Sequence, residues 1–246
     1  MVSGSEAFAI NPAIDAAVIR ANYVRSGRVQ IANFLAGEGA RLLATELSES
    51  AAWHHVFNVG EKLYEIPAPA LVTIEPEVLA QIDAATAKAA GIGFQFRYDT
   101  IRVTDDSAER LASGSLLDMF ALFMSDCKTL RWLESATGVA GYGFADAQAT
   151  RFRPGAYLTR HDDEIAGKQR LDAYVLGLNE GWRPEWGGLL SFAEGDNSVT
   201  HTIVPRFNAL NLFAVGQMHF VSEVASYAPV PRMSVTGWLR GSTGKA

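Results

Sequence analysis

The chain has 246 residues and a mass of 26.6 kDa, and 48% of its residues are hydrophobic, enough to bury one large core or at most two small ones. Acidic residues outnumber basic ones, 27 to 21, for a formal net charge of -6 with no run of Lys and Arg, which argues against direct nucleic-acid binding. No stretch approaches the roughly 18 apolar residues of a membrane span, and the N-terminal segment lacks the basic-then-apolar order of a secretory signal, so a cytoplasmic, membrane-free protein is expected, its oligomeric state left open. The single cysteine, Cys127, excludes an internal disulfide and a cysteine-based metal site, and its apolar helical surroundings predict a buried, inert thiol.

In chain order, Gly27 to Leu35 reads as a strand running into a turn, and Gly37 to Ser50 carries Ala40, Leu43 and Leu47 at helical spacing. Pro76 to Ala90 predicts a helix, because Pro76 suits a first turn and Leu79, Ile82, Ala85 and Ala89 share a side. Phe94 to Val103 alternates as a half-buried strand, and Asp105-Asp106-Ser107 after it is loop chemistry. Between Ser115 and Leu133, Leu116, Phe120, Phe123, Leu130 and Leu133 return at helical spacing around a break near Asp126, an aromatic stripe read as core packing. After Gly143 come eight short strand-like segments: Ala149 to Arg153, Ala156 to His161, Leu171 to Asn179, Gly188 to Ala193, Thr200 to Pro205, Ala209 to Ala214, His219 to Val224 and Arg232 to Arg240. Closely spaced short strands predict a two-sheet jelly roll or small barrel, with its mouth as the place for a small-molecule site. Without repeats or linkers, the expectation is one domain over 1–246 of α+β class with a mainly β core, helix-rich over 1–143 and β over 144–241.

Chemistry concentrates in the β half. His161 and Asp163 are two residues apart, and on an extended strand such residues point to one face and can reach one ion. His219, 56 residues after Asp163, would add a third ligand from a strand brought close by the fold. Two histidines and one carboxylate on one face of an ion leave the opposite positions open, the arrangement expected of non-haem Fe(II) oxygenases. Arg232 opens a strand otherwise destined for the core and so needs a buried anion, which its planar fork would hold bidentately. Ser234, two residues on, faces the same way and can donate to the same carboxylate, so a dicarboxylic acid chelating the metal and held by Arg232 satisfies the whole set.

With these residues in place the sequence resembles the Fe(II)- and 2-oxoglutarate-dependent dioxygenases, in the branch that looks like prolyl hydroxylases and within it the ribosomal-protein prolyl hydroxylase group. The resemblance is carried in order by Tyr157-Leu158-Thr159-Arg160-His161-Asp162-Asp163, Leu178-Asn179-Glu180-Gly181-Trp182, Glu185-Trp186-Gly187-Gly188-Leu189-Leu190, Pro205-Arg206-Phe207-Asn208, His219-Phe220-Val221-Ser222-Glu223-Val224 and Arg232-Met233-Ser234-Val235-Thr236-Gly237-Trp238. It covers about residues 149–241, with a looser echo of the family's first strand in Gly27 to Leu35. It implies a double-stranded β-helix, jelly-roll or cupin-like, with N-terminal helices packed on one sheet. It also implies Fe(II) on His161, Asp163 and His219, and 2-oxoglutarate on the iron and, through its distal carboxylate, on Arg232 and Ser234. O2 is the other cosubstrate implied, with ascorbate as a stimulant. The tyrosines that help hold 2-oxoglutarate in several prolyl hydroxylases fall near Phe152 and Gly177, leaving Tyr157, Tyr174 or Asn211 as substitutes, and Tyr157 is taken into the site. Arg97, Tyr98 and the loop Thr104 to Ala112 are expected at the substrate mouth by the same likeness.

Other candidates read blandly. His54 and His55 lack a third ligand, His201 is an ordinary sheet residue and the fallback third ligand, and Trp182 and Trp186 close a barrel end. The function expected is hydroxylation of a prolyl residue in a protein or peptide, with the same chemistry on a free amino acid or other small metabolite as the alternative. A non-catalytic jelly-roll binding protein and a zinc hydrolase are the remaining readings, the second because two His and one Asp also suit catalytic zinc. Retention of Asp163 argues against a halogenase.

Overall fold

Each short strand of the second half buries side chains on alternate sides and must find a neighbour for its backbone N–H and C=O groups, and the outcome is an antiparallel sheet curled around a cavity. The computed structural model describes residues 7–196 and 198–241. The first half runs α1 (Ala16–Ser26), β1 (Arg28–Ile31), α2 (Gly39–Glu49), β2 (His54–Val59), β3 (Lys62–Pro67), α3 (Ala68–Leu71), α4 (Pro76–Ala90), β4 (Phe96–Arg102), α5 (Ser107–Ser113), α6 (Leu116–Ser125) and α7 (Cys127–Thr137). The second runs β5 (Tyr142–Ala145), β6 (Gln148–Phe152), β7 (Tyr157–His161), β8 (Arg170–Gly177), β9 (Leu190–Ala193), β10 (Val199–Ile203), β11 (Ala209–Ala214), β12 (His219–Val221) and β13 (Arg232–Gly241). All eight expected strands form, and the helices expected at 37–50, 76–90 and 115–133 lie where the periodicity puts them.

The strand order is β1-β11-β8-β13-β6-β4-β7-β12-β9-β10, with the β2–β3 hairpin off β4 and β5 off β13. The ends nearly meet, since Arg28 on β1 donates to Gln217 at 2.8 Å and Gln30 donates to the Val204 carbonyl just beyond β10. The fold is the double-stranded β-helix with helices on one sheet. Period two then sorts the side chains of β8 and β13. Tyr174, Leu176, Val235 and Leu239 pack under the helices with Leu43, Leu47, Phe120 and Leu133, while Ala173, Val175, Arg232 and Trp238 line the cavity.

Local chemistry explains the helix boundaries. The Ser115 hydroxyl accepts from the Asp118 N–H to cap α6, and the Asp126 carboxylate accepts from the Lys128 N–H to start α7, which is why the chain breaks at Asp126. The same break puts Cys127 in the first turn of α7, where it is exposed, so the expectation of a buried thiol is corrected: the helix turns Leu130 and Leu133 inward instead. Helix α1 buries only Tyr23, so no apolar stripe announces it; the Asp15 carboxylate caps it, Gly27 ends it in the left-handed region at φ 64°, and the Tyr23 hydroxyl donates to the buried Asp172 carboxylate of β8.

On the face away from the cavity, Asp99 stands beside His55 of β2 and Arg151 of β6 in register and ties three strands together. His55 Nδ1 lies 2.9 Å from one carboxylate oxygen, and Arg151 and Arg153 reach the carboxylate at 2.9–3.0 Å. Burial favours the neutral acid, but the His55 hydrogen bond and the two guanidinium charges outweigh it and lower the Asp99 carboxyl. Its stabilisation is therefore fully present above the ordinary carboxylate range near pH ~4 and is lost as pH falls through the lowered value. Asp99→Ala leaves two guanidiniums around an empty position and is expected to cost about 3 kcal/mol in urea unfolding. Asp99→Asn is expected to flatten the acid limb of the stability profile, an outcome read by repeating the titration between pH 2 and 6.

Candidate metal centre and its cavity

The antiparallel register of β7 and β12 sets His161 directly opposite His219, with ring centroids 4.2 Å apart. His161 Nδ1 lies 2.9 Å from the Thr159 carbonyl and His219 Nδ1 lies 2.8 Å from the Gln217 carbonyl. With both Nδ1–H groups donating to these carbonyls, each Nε2 points inward, where it offers a lone pair to an ion when the ring is neutral and a proton to Asp163 when the ring is charged. Asp163 follows the end of β7 in the left-handed region, φ 65°, and places its two carboxylate oxygens 3.3 Å from His161 Nε2 and 3.4 Å from His219 Nε2. The three donors lie within 4.8 Å of one another, as one ion requires. The backbone there is pinned: Arg170 donates to the Asp163 carbonyl at 3.1 Å and the Gly216 N–H to the Asp162 carbonyl at 2.9 Å. Burial works to raise the Asp163 carboxyl, but hydrogen bonds from and charge on His161 and His219 outweigh it and hold the group well below the usual carboxylate range.

The triad opens into a cavity of about 420 Å³. Arg232 lies in its wall on β13, buried among Phe152, Trp182 and Val224, with its guanidinium 5.0 Å from the Phe152 ring centroid. Its Nε has no partner, and among the described residues no carboxylate stands within ion-pair distance. Desolvation pushes its pKa down to about 10. Gly188 makes room for this stem, since a Cβ there would lie 3.1 Å from Arg232 Cδ. A buried guanidinium without an anionic partner, sharing a cavity with two imidazole nitrogens and a carboxylate, is the donor set that a metal and a chelating dicarboxylate would fit.

The other expected residues divide. Ser234 shares the Arg232 face of β13, but its hydroxyl is paired with Thr150 Oγ1 at 2.9 Å, and it is Thr150 that lines the cavity. Tyr157 is a correction. It lies on the other side of β7, in a groove beside Ala87 and Ala90 of α4, because the strand shifts register between His219 and Val221 and parity counted from His161 fails there. Tyr174 donates to the Asp146 carbonyl at 2.7 Å and Asn211 to the Val175 carbonyl at 3.1 Å, so both are committed elsewhere. Tyr98 of β4 lines the cavity together with Tyr174, and it is stacked on Phe152 with centroids 5.1 Å apart, its phenol raised by burial. The family likeness puts it at the mouth rather than in the pocket; the alternation of Phe96 and Tyr98 along β4 is the signal for its true place.

Arg97 turns to the opposite face and pairs with Asp83 at 2.8 Å, and no residue of the loop Thr104 to Ala112 lines the cavity, since α5 turns that segment away. His201 sits exposed on the edge strand β10, outside the triad. His55 belongs to the Asp99 cluster, and Trp182 and Trp186 meet edge to face at 5.4 Å below Arg232. Sequence reasoning also missed Arg170 and Trp238. The Arg170 guanidinium lies 3.4 Å over the Trp238 ring, and Arg170 Nε and Trp238 Nε1 are both buried without partners in the cavity wall.

Comparison with known proteins fits this geometry. Residues 147–240 match the 2OG-Fe(II) oxygenase superfamily. Over 126 residues, the chain is 32% identical to the prolyl 3-hydroxylase sudestada1 of Drosophila melanogaster, an alignment that covers 47% of this chain and 23% of that protein's length. In fold it is similar to a Pseudomonas putida prolyl-4-hydroxylase, with TM-score 0.56, 21% identity and coverage of 92% of this chain and 98% of the other. A Trichoplax adhaerens prolyl hydroxylase, solved with a hypoxia inducible factor oxygen degradation domain peptide fragment, is similar at TM-score 0.57 and 17% identity, covering 92% and 89%. Residues 147–240, which carry the triad and Arg232, are thus similar to the 2OG-Fe(II) oxygenase superfamily, and the cofactors of that family are Fe(II), 2-oxoglutarate and O2.

Proposed function

We propose that this protein hydroxylates a prolyl residue in a protein or peptide, with His161, Asp163 and His219 holding Fe(II) and Arg232 holding the distal carboxylate of 2-oxoglutarate. The observation that carries the reading is Arg232: a fully buried cation without an anionic partner, in the wall of the cavity into which the triad opens. Iron and 2-oxoglutarate bound there supply the oxygen activation and the electrons for hydroxylation. What the chain's own groups do follows from their positions. The two imidazoles and the carboxylate would hold the ion from their side of the cavity, with the cosubstrate and O2 approaching from the open side. Thr150, braced by Ser234, and Tyr98, beside Phe152, offer hydroxyls to the same cosubstrate. Apolar walls from Phe96, Leu158, Leu190 and Phe213 exclude water. On the substrate side, the unpartnered Arg170 Nε and Trp238 Nε1 are buried donors that a backbone carbonyl beside the oxidised residue would satisfy.

A prolyl target is favoured over a free amino acid by the 32% identity to a protein described as a prolyl 3-hydroxylase. The zinc-hydrolase reading gives Arg232 no task, and a binding protein gives the three converging ligand atoms none. The single-domain organisation and cytoplasmic location read from the sequence remain part of this proposal.

Two outcomes test it. His161→Ala and Asp163→Ala are expected to lose succinate formation and the metal-to-ligand absorption band of the anaerobic Fe(II)–2-oxoglutarate complex while circular dichroism and thermal midpoint stay close to wild type; full turnover in either removes the triad. Arg232→Ala is expected to raise the KM for 2-oxoglutarate by about tenfold to a hundredfold, the loss of a charge-assisted bidentate contact. Arg232→Lys should recover part of that loss, and an unchanged KM in both variants would assign the cavity to another ligand.

A further inference from the structure

Two apolar side chains at the mouth of the metal cavity are left in water by a fold that buries most others. Phe94 is 52% exposed and Ile165 is 51% exposed, and both line the cavity that holds the triad. Neither belongs to any of the three apolar clusters of the molecule. Phe94 lies in the short segment between α4 and β4, with its ring centroid 5.5 Å from that of His161, and Ile92 beside it is 83% exposed. Ile165 lies two residues beyond Asp163, in the loop that joins β7 to β8. The pair thus stands on two different loops, one beside a histidine ligand and the other just past the carboxylate ligand.

Exposed apolar surface at such a place is unfavourable in the free protein and becomes favourable only when something apolar covers it. The covering group must sit close to the reacting atom, because Phe94 is in ring contact with His161. A single residue of extended polypeptide advances about 3.3 Å, so a group that touches both Phe94 and the metal face belongs to a residue adjacent to the oxidised one. Resting on the prolyl-hydroxylase reading above, we infer that Phe94 and Ile165 grip a bulky apolar residue adjacent to the target proline, and so select polypeptides with Leu, Ile, Met or Phe beside it. The continuity of these residues with the metal cavity identifies the occupant as the substrate chain.

The experiment incubates the Fe(II)-loaded enzyme with 2-oxoglutarate and O2 on a library of short peptides X-Pro-Z, with X and Z varied over all residue types, and reads hydroxylation as a 16 Da gain by mass spectrometry. Wild type is expected to prefer a bulky apolar residue at one flanking position. Phe94→Ser and Ile165→Ser are each expected to raise the KM for the preferred peptide about tenfold, the size expected from losing half of one large apolar contact, and to flatten the preference, with kcat at saturating peptide changing less than KM. A flanking preference that is absent, polar or charged, or that survives both substitutions, overturns this inference while leaving the prolyl reading intact. Succinate formation with no hydroxylated peptide anywhere in the library overturns the prolyl reading, and this inference with it.

Discussion

Two imidazoles can share an ion only if their strands are held at the right register, and the pairing of His161 with His219 across β7 and β12 is the constraint on which the site depends. Side chains on a strand alternate faces, so a slip of one residue in either strand would send one histidine to the outside of the sheet. The register is fixed from both sides. β12 is sandwiched between β7 and β9, with His219 also opposite Phe192, and Phe213 packs edge to face on the His219 ring at 4.7 Å. The third ligand could not come from the same strand geometry, because a carboxylate between two Nε2 atoms must return toward the sheet; the positive φ of Asp163 makes that return, and the Arg170 and Gly216 hydrogen bonds to the loop hold it.

The sheet does two jobs with one set of strands. On β8 and β13 alternate residues belong to the helix-covered core or to the cavity, so the positions that stabilise the molecule and those that bind ligand are separated by a single residue along the chain. Gly237, between Thr236 and Trp238, shows how tight the division is: a Cβ there would lie 2.0 Å from the Asp146 carbonyl oxygen. β13 must therefore run flush against that carbonyl for Trp238 to stand in the cavity wall over Arg170.

Where a residue violated its surroundings, the sequence was legible. A charged residue opening an apolar strand marked Arg232, and short strand-like segments between turn residues marked eight of the nine strands from β5 to β13, all but β5. Where the deciding contact was distant, it was not. Helix α1 has no apolar stripe and depends on Tyr23 reaching Asp172, 149 residues away. The β2–β3 hairpin depends on Asp99 gathering His55, Arg151 and Arg153. Tyr157 illustrates a third case: the irregular pairing of β7 with β12 turns it to the far side of the strand, and Tyr98 of β4 stands in the cavity wall instead. Tyr98 came from a strand whose place in the sheet order, between β6 and β7, no local pattern could give.

The cost of the site falls on Arg232. A guanidinium removed from water without an anionic partner is unfavourable by several kcal/mol, and its lowered pKa is the same penalty seen through proton binding. Phe152 offsets part of it by presenting its ring face, and the remainder is carried by the apolar core under α2, α6 and α7. A ligand carboxylate that pairs with this cation recovers what folding gave up, in a low-dielectric wall where the attraction is strong. Binding and stability are thereby linked: the folded chain is poised below its own optimum until an anion arrives, and the free energy released on arrival is available to hold the ligand's other end at the triad. The geometry thus favours a ligand that satisfies both ends at once, which is a stricter demand than either the metal or the arginine makes alone.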